Sequence, residues 1–235
     1  MRIDEFYFKD LIGVIGISGP VGAGKTTTAE FIAKELPGNV VICALADALK
    51  EECRDALGYT VEEWATLLGN PETKEALRPL LQWWGTEYRR NPVLDGYQEY
   101  WFDSWMQGVF QEDLRLRRET GKGVSYVLVP DIRFPNEAEF IRKMGEFCVL
   151  LHIRGINQKR ATSHEHVSEN GVDVASYEPL IGNDQAKGLG ELERIAKLFA
   201  QEYLYGIKVK TDSIQEHRRG KGETGEEAWS QEQDD

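Results

Sequence analysis

The sequence predicts an α/β fold: a doubly wound parallel sheet with flanking helices. Three observations predict it. Short apolar runs without alternation read as strands buried on both faces, stretches with helical spacing separate them, and a glycine-rich turn joins the first strand to the first helix.

Residues 11–18 form an Ile/Val/Gly-rich run, the first strand. Ala29, Ile32, Ala33 and Leu36 recur at helical spacing over 26–36, and Pro37-Gly38 stops that helix. Residues 39–46 read as a second buried strand. Residues 47–121 are mostly helical in pattern, broken at Gly58, Asn70-Pro71 and Asn91-Pro92. A third strand is expected over 124–130, a helix opening on Pro135 over 134–144, and a fourth strand over 147–153. Residues 190–203 are a last helix, and 207–210 read as a short strand. From residue 214 to 235 the pattern fails. Three basic and seven acidic residues among Gly and Gln predict a disordered acidic tail behind a domain of residues 1–213.

Composition narrows the function. The chain has 235 residues, 41% of them hydrophobic, with 6 Trp and 9 Phe to fill a core, which excludes a wholly disordered or fibrous protein. A formal charge of -12 argues against a general nucleic-acid binder. It leaves room for a local positive pocket. Cys43, Cys53 and Cys148 show no CxxC spacing, so neither a disulfide framework nor a zinc site is expected. No run reaches the length of a membrane span or carries the flank of a signal peptide, and an intracellular, cytoplasmic protein is expected.

The strongest motif is Gly19-Pro20-Val21-Gly22-Ala23-Gly24-Lys25-Thr26, a GxxxxGK[ST] phosphate loop placed between strand and helix as its chemistry requires. Glycines let backbone N–H groups turn inward around a phosphate, and the helix N-terminus adds partial positive charge. Gly19, Gly22, Ala23, Gly24, Lys25, Thr26 and Thr27 are the expected ATP-binding residues. Lys25 would bridge the β- and γ-phosphates, and the Thr26 hydroxyl would hold Mg²⁺. With no NKxD motif and too little chain for a helicase or transport ATPase core, a small-molecule kinase is favoured.

Other polar residues cluster at strand ends and on one helix. Asp131 lies at the carboxyl end of the third strand, where ligands bind in doubly wound sheets; it can hold Mg²⁺ through water or orient an acceptor. Arg133 could fork onto a phosphate. Arg78, Gln82, Trp83, Glu87, Arg89 and Arg90 fall on one predicted helix containing Gly85. Arg78, Gln82 and either Glu87 or Arg89 recur near helical spacing and could share a face, with Trp83 or Trp84 available to stack on a base. Asp47, followed by Lys50, either touches substrate or a Mg²⁺-bound water, or caps a helix. Arg154, Lys159 and Arg160 belong to a polar segment that reads as a lid able to close on phosphates, or as a solvated loop. His164 and His166 sit at i, i+2 with no further ligand cluster, so no metal site is expected there.

At several separated places the chain resembles the phage-type deoxynucleoside monophosphate kinases. The carriers, besides the phosphate loop, are Ala46-Asp47-Ala48-Leu49-Lys50, the run LLQWWGTEYR over 80–89, Tyr100-Trp101, the run PDIRFPNEAE over 130–139, HEHVSE over 164–169 and Ile181-Gly182-Asn183-Asp184. The resemblance spans roughly residues 12–204. It implies a P-loop NTPase-type sheet, a helical substrate-binding insertion over about 58–121 and a lid over about 154–166. It makes the helix bearing Arg78, Gln82, Trp83, Glu87 and Arg89 the monophosphate-binding region, and places Asn183 near adenine. Lys25, Asp131, Arg133, Arg154 and Arg160 become the candidate catalytic set. The implied reaction is ATP + dNMP = ADP + dNDP with Mg²⁺, by a homodimer in the cytoplasm (the host's, for a phage protein). A nucleoside or dephospho-coenzyme A kinase and a non-catalytic nucleotide-binding module stay open. Residues 74–90 and 131–160 each carry a net charge of +2 despite the acidic total, as a nucleotide pocket would need.

Overall fold

The computed structural model of the protein describes residues 8–94, 97, 99–145, 147–156 and 172–222, with residues 212 and 214–222 as backbone only. The apolar runs become strands because both of their faces are covered. All six residues of β1 (Gly13–Ser18) are buried, and in β3 (Tyr126–Ile132) all but Asp131. With β2 (Val40–Ile42), β4 (Val149–Ile156) and β5 (Leu180–Asp184) they form one parallel sheet of order β2-β3-β1-β4-β5.

A parallel sheet needs helices on both faces. Here α1 (Lys25–Glu35) and α7 (Leu189–Gly222) cover one face over a core of Ile15, Ile17, Ile32, Leu128, Leu151 and Ala196. The helices α2 (Leu45–Leu57), α5 (Tyr100–Thr120) and α6 (Pro135–Lys143) cover the other, over Val14, Trp105, Val127, Ile141 and Leu150. Between α2 and α5 the chain forms α3 (Val61–Gly69) and α4 (Pro71–Gln82), which runs into a π-helical turn, Trp83–Tyr88. Two of the breaks expected from sequence are real caps: Gly58 closes α2 at φ 75°, and Asn70 accepts from Glu72 N–H ahead of α4. Between them Thr60 and Glu63 bond reciprocally at the start of α3, a cap the sequence reading does not name.

Several elements differ from the expectation. The strand expected over 39–46 ends at Ile42, because Asp47 Oδ2 accepts from Ala44 N–H at 2.9 Å and starts α2 at Leu45. The strand β5 is not expected from sequence; Gly182, Asn183 and Asp184 have low strand propensity, and pairing with β4 overrides it. Residues 207–210 are helical rather than a strand, despite β-branched Ile207 and Val209, because they continue α7. The helix also includes residues 214–222 of the expected disordered tail, where Gln, Glu, Lys and Arg favour helix without needing burial. Residues 223–235 lie outside the described residues. Arg154, Gly155 and Ile156 are the end of β4, paired with Gly182, Asn183 and Asp184, so they are sheet and not lid. Lys159, Arg160, His164 and His166 lie outside the described residues. Among those described, no helix is long and apolar enough to cross a membrane.

The strand order places the site. The chain lays β2 and β3 on one side of β1 and then crosses to β4 on the other, which opens a crevice beyond the carboxyl end of β1.

Candidate active site

The phosphate loop leaves β1 at Gly19 and enters α1 at Lys25. Gly24 has φ 92°, and a Cβ there would lie 2.8 Å from Asn183 Nδ2, so backbone conformation and space both require glycine. Two side chains at the end of β5 fasten this loop: Asn183 Nδ2 donates to Ala23 O at 2.9 Å and Gln185 Nε2 to Gly22 O at 3.2 Å. With the Ala23 carbonyl held toward Asn183, the planar trans peptide points the Gly24 N–H the opposite way. Lys25 is buried; its Nζ donates to Gly19 O at 2.7 Å and Pro20 O at 2.9 Å, and lies 3.1 Å from Asp131 Oδ1.

Asp131 owes its position to a break in β3. The β1 register steps from Ile17↔Pro130 to Ser18↔Ile132, leaving Asp131 as the extra residue of a bulge. It is the one non-glycine among the described residues with positive φ, 72°, a conformation Asp tolerates better than most. Pro130 fits just before it because β2 has already ended opposite Leu128, so no ladder bond is lost on that side. The bulge turns the carboxylate between Lys25 and Arg133, whose Nε donates to Asp131 Oδ2 at 2.8 Å. Burial raises the Asp131 pKa, but the Arg133 guanidinium and the Lys25 ammonium outweigh it and hold the carboxyl below its ordinary value.

The phosphate loop shares a cleft with one face of α4 and the π turn. Arg78, Gln82, Thr86 and Arg90 line the same cleft at a constant spacing of four. In an unbroken α-helix that spacing drifts about 40° per step. The wider π turn, in which Arg89 N–H bonds to Trp84 O, acts as a one-residue insertion and takes up the drift. Arg90 therefore occupies the place that helical spacing assigned to Arg89. Arg90 is 7% exposed, with Nη2 on Glu137 Oε1 at 2.6 Å and its guanidinium 4.2 Å above the Phe134 ring. Its Nε and Nη1, and Gln82 Nε2, have no hydrogen-bond partner among the described residues. Buried donors left unpaired in a cleft call for an explanation, and a ligand oxygen supplies one.

One cleft of about 700 Å³ brings these parts together. From the loop it is lined by Gly22, Gly24, Lys25, Thr26 and Thr27; from α2 by Asp47 and Lys50; from α4 by Arg78 and Gln82; and from the bulge by Asp131 and Arg133. Asp47 combines the capping position with a place in this cleft: it caps α2, pairs with Lys50 at 2.7 Å, and is part of the lining.

Other expected residues are elsewhere. Arg89 and Trp84 bond to Glu52, joined there by Tyr100, because the π turn rotates them away from the cleft. Trp83 is 47% exposed and stacked on Tyr88 at 5.5 Å, and the aromatics that line the cleft are Phe134 and Trp101, the latter anchored by Nε1 on Gly85 O. Glu87 is exposed and outside the lining. Asn183, expected near adenine, fastens the phosphate loop at Ala23 O and is not among the residues lining this cleft. Gly19 and Ala23 contribute carbonyls to Lys25 and Asn183 rather than lining. Arg154 is exposed on β4, away from the lining. Arg90, Lys74, Trp101 and Glu137 line the cleft although the sequence does not single them out for it; Gly85 inside a helical run is the one hint of a register change.

The model of the deoxynucleotide monophosphate kinase family matches residues 52–195, covering α4, the π turn, the Asp131 bulge and β5. A curated protein of Acanthamoeba polyphaga mimivirus, whose name provisionally describes it as a deoxynucleotide monophosphate kinase, is 26% identical over 185 residues, 73% of this chain and 89% of its own. Among solved structures, an unliganded sugar kinase from a Janibacter species aligns over 83% of this chain and 96% of its own, with 16% identity and a TM-score of 0.37.

Proposed function

The chain belongs to the deoxynucleotide monophosphate kinase family, which makes it a phosphotransferase, and from that premise we propose that it moves the γ-phosphoryl group of ATP to a deoxynucleoside 5′-monophosphate. The observation that carries this reading is what one cleft brings together. It is lined by the phosphate loop with Lys25 and by Arg90 and Gln82, whose buried donor atoms Nε, Nη1 and Nε2 have no partner among the described residues.

The chemistry asked of the protein is positioning and charge. An oxygen of the acceptor phosphate forms the new bond to the γ-phosphorus as the bond to the β-phosphate oxygen breaks, releasing ADP. The acceptor oxygen is already anionic, so no general base is needed. Lys25, released from the Gly19 and Pro20 carbonyls, offsets charge on the transferring group. Arg90 and Gln82 supply donors to the acceptor, and Arg133, in the same cleft, adds positive charge. Asp131 stays ionised and keeps Lys25 and Arg133 at the transfer point.

The donor set suits Mg²⁺. Thr26 and Asp131 present hard oxygens to the cleft, and no group of three or more His, Cys, Asp or Glu among the described residues forms an all-protein metal cage. Mg²⁺ commonly takes one or two protein oxygens and fills its shell with phosphates and water. Bound there, it would neutralise phosphate charge.

The test is a coupled ADP-release assay with ATP, Mg²⁺ and a panel of acceptors. Deoxynucleoside monophosphates should turn over, whereas deoxynucleosides and dephospho-coenzyme A should not. Turnover of either of the last two instead, or ATP binding with no turnover on any acceptor, would overturn the reading.

A further inference from the structure

Glu137 lines the cleft and joins Arg90 to the Asp131–Arg133 turn. It is 3% exposed, and its two oxygens hold three donors. Oε1 accepts from Arg90 Nη2 at 2.6 Å, while Oε2 accepts from the backbone N–H groups of Arg133 at 2.8 Å and Phe134 at 3.1 Å. The residues it holds come from different parts of the chain. Arg90 follows the π turn, and Arg133 follows the bulge that presents Asp131. The Phe134 ring beneath the Arg90 guanidinium closes the same arrangement.

A carboxylate that only started α6 would need one oxygen and could remain at the surface. This one is buried, and its second oxygen is on a guanidinium whose other nitrogens have no partner among the described residues. We propose that Glu137 is a positioning residue for phosphoryl transfer. It sets Arg90 against the Asp131–Arg133 turn, so that the acceptor phosphate is held in line with the group leaving the phosphate loop. This rests on the acceptor assignment of Arg90 above.

The geometry defines the variants. Glu137→Asp keeps the charge but shortens the arm by one methylene, so it cannot span both partners. Glu137→Gln keeps the length but turns an amide NH₂ toward either Arg90 or the two backbone N–H groups, donor against donor. Arg90→Ala removes the group through which Glu137 acts. KM does not depend on the fraction of a sample that is folded, so it remains readable for a weakened variant.

Steady-state kinetics on the full chain should show both Glu137 variants raising KM for the deoxynucleoside monophosphate by roughly ten- to a hundredfold, with KM for ATP within about twofold. In the Arg90→Ala background the Glu137→Asp change should add little, since a residue acting through another is non-additive with it. Additive effects would show that Glu137 does not act through Arg90, and equal rises in both KM values that it shapes the cleft as a whole and not the acceptor's place; either result overturns the positioning role. If Arg90→Ala leaves the acceptor KM unchanged, the acceptor assignment itself fails. If Arg90→Ala raises it and the Glu137 variants do not, only the positioning role fails.

Discussion

Asn183 Nδ2 donates to Ala23 O at 2.9 Å, and this contact ties the phosphate loop to the edge strand of the sheet. Both groups are buried, so removing the amide leaves a carbonyl unpaired, at a cost of about 1–3 kcal/mol. Asn183→Ala should therefore lower stability by that order and raise KM for ATP several-fold, with the acceptor KM little changed. Denaturant unfolding and initial-rate kinetics together check it. Lost stability with an unaltered ATP KM would reduce the contact to packing.

Lys25 is held by two loop carbonyls and Asp131, ready to be taken over by phosphate oxygens. Lys25→Ala should reduce kcat by about a hundred- to a thousandfold, the scale for losing one preorganised charge at a transition state. Single-turnover rates at saturating ATP make the comparison. A near-normal rate would disprove the phosphate-loop assignment.

Just behind the loop, Ser18 Oγ lies 2.6 Å from His152 Nδ1, and His152 Nε2 lies 2.8 Å from Glu178 Oε2. Burial raises the Glu178 pKa, yet hydrogen bonds from Arg142, the Ala175 N–H and His152 prevail and hold it at about 2, against an ordinary 4.5. A carboxyl depressed on folding contributes stability above its unfolded value and loses that contribution as pH falls through the folded one. The contribution, on the order of 3 kcal/mol, should be complete above about pH 4.5 and fade toward pH 2. Unfolding free energies of the wild type and Glu178→Gln should thus differ most near neutrality and converge in acid. A gap independent of pH down to about 2 would exclude ionisation of Glu178 as its source.

The parts of the molecule readable from sequence are those where local chemistry decides. The phosphate loop, the caps at Gly58 and Asn70, and the buried runs of β1 and β3 need only neighbouring residues to form. What escapes depends on long-range partners. β5 exists because β4 offers it a ladder, and the helical course of residues 207–210 depends on the helix before them. Asn183 is recognisable as special, but its partner, a carbonyl on the phosphate loop, appears only when β5 lies beside β4. The exchange of Arg89 for Arg90 has the smallest cause of all, a one-residue change of helical register.

That exchange separates two adjacent arginines by measurement. Arg89 bonds to Glu52 together with Trp84 and Tyr100, and its guanidinium lies 4.7 Å from the Tyr88 ring centroid and 4.9 Å from that of Tyr100. Arg89→Ala strips that hub of its charge partner and should cost about 1–3 kcal/mol, or several degrees of Tm for a chain of this size. Its acceptor KM should stay within about twofold of the wild type. Arg90→Ala should raise the acceptor KM by about ten- to a hundredfold, because two of its nitrogens find no partner among the described residues and are left for the ligand. Thermal unfolding and acceptor titrations on both variants give the comparison. If Arg89→Ala instead produced the larger rise in KM, the continuous α-helical register would describe the working enzyme and the π turn would not.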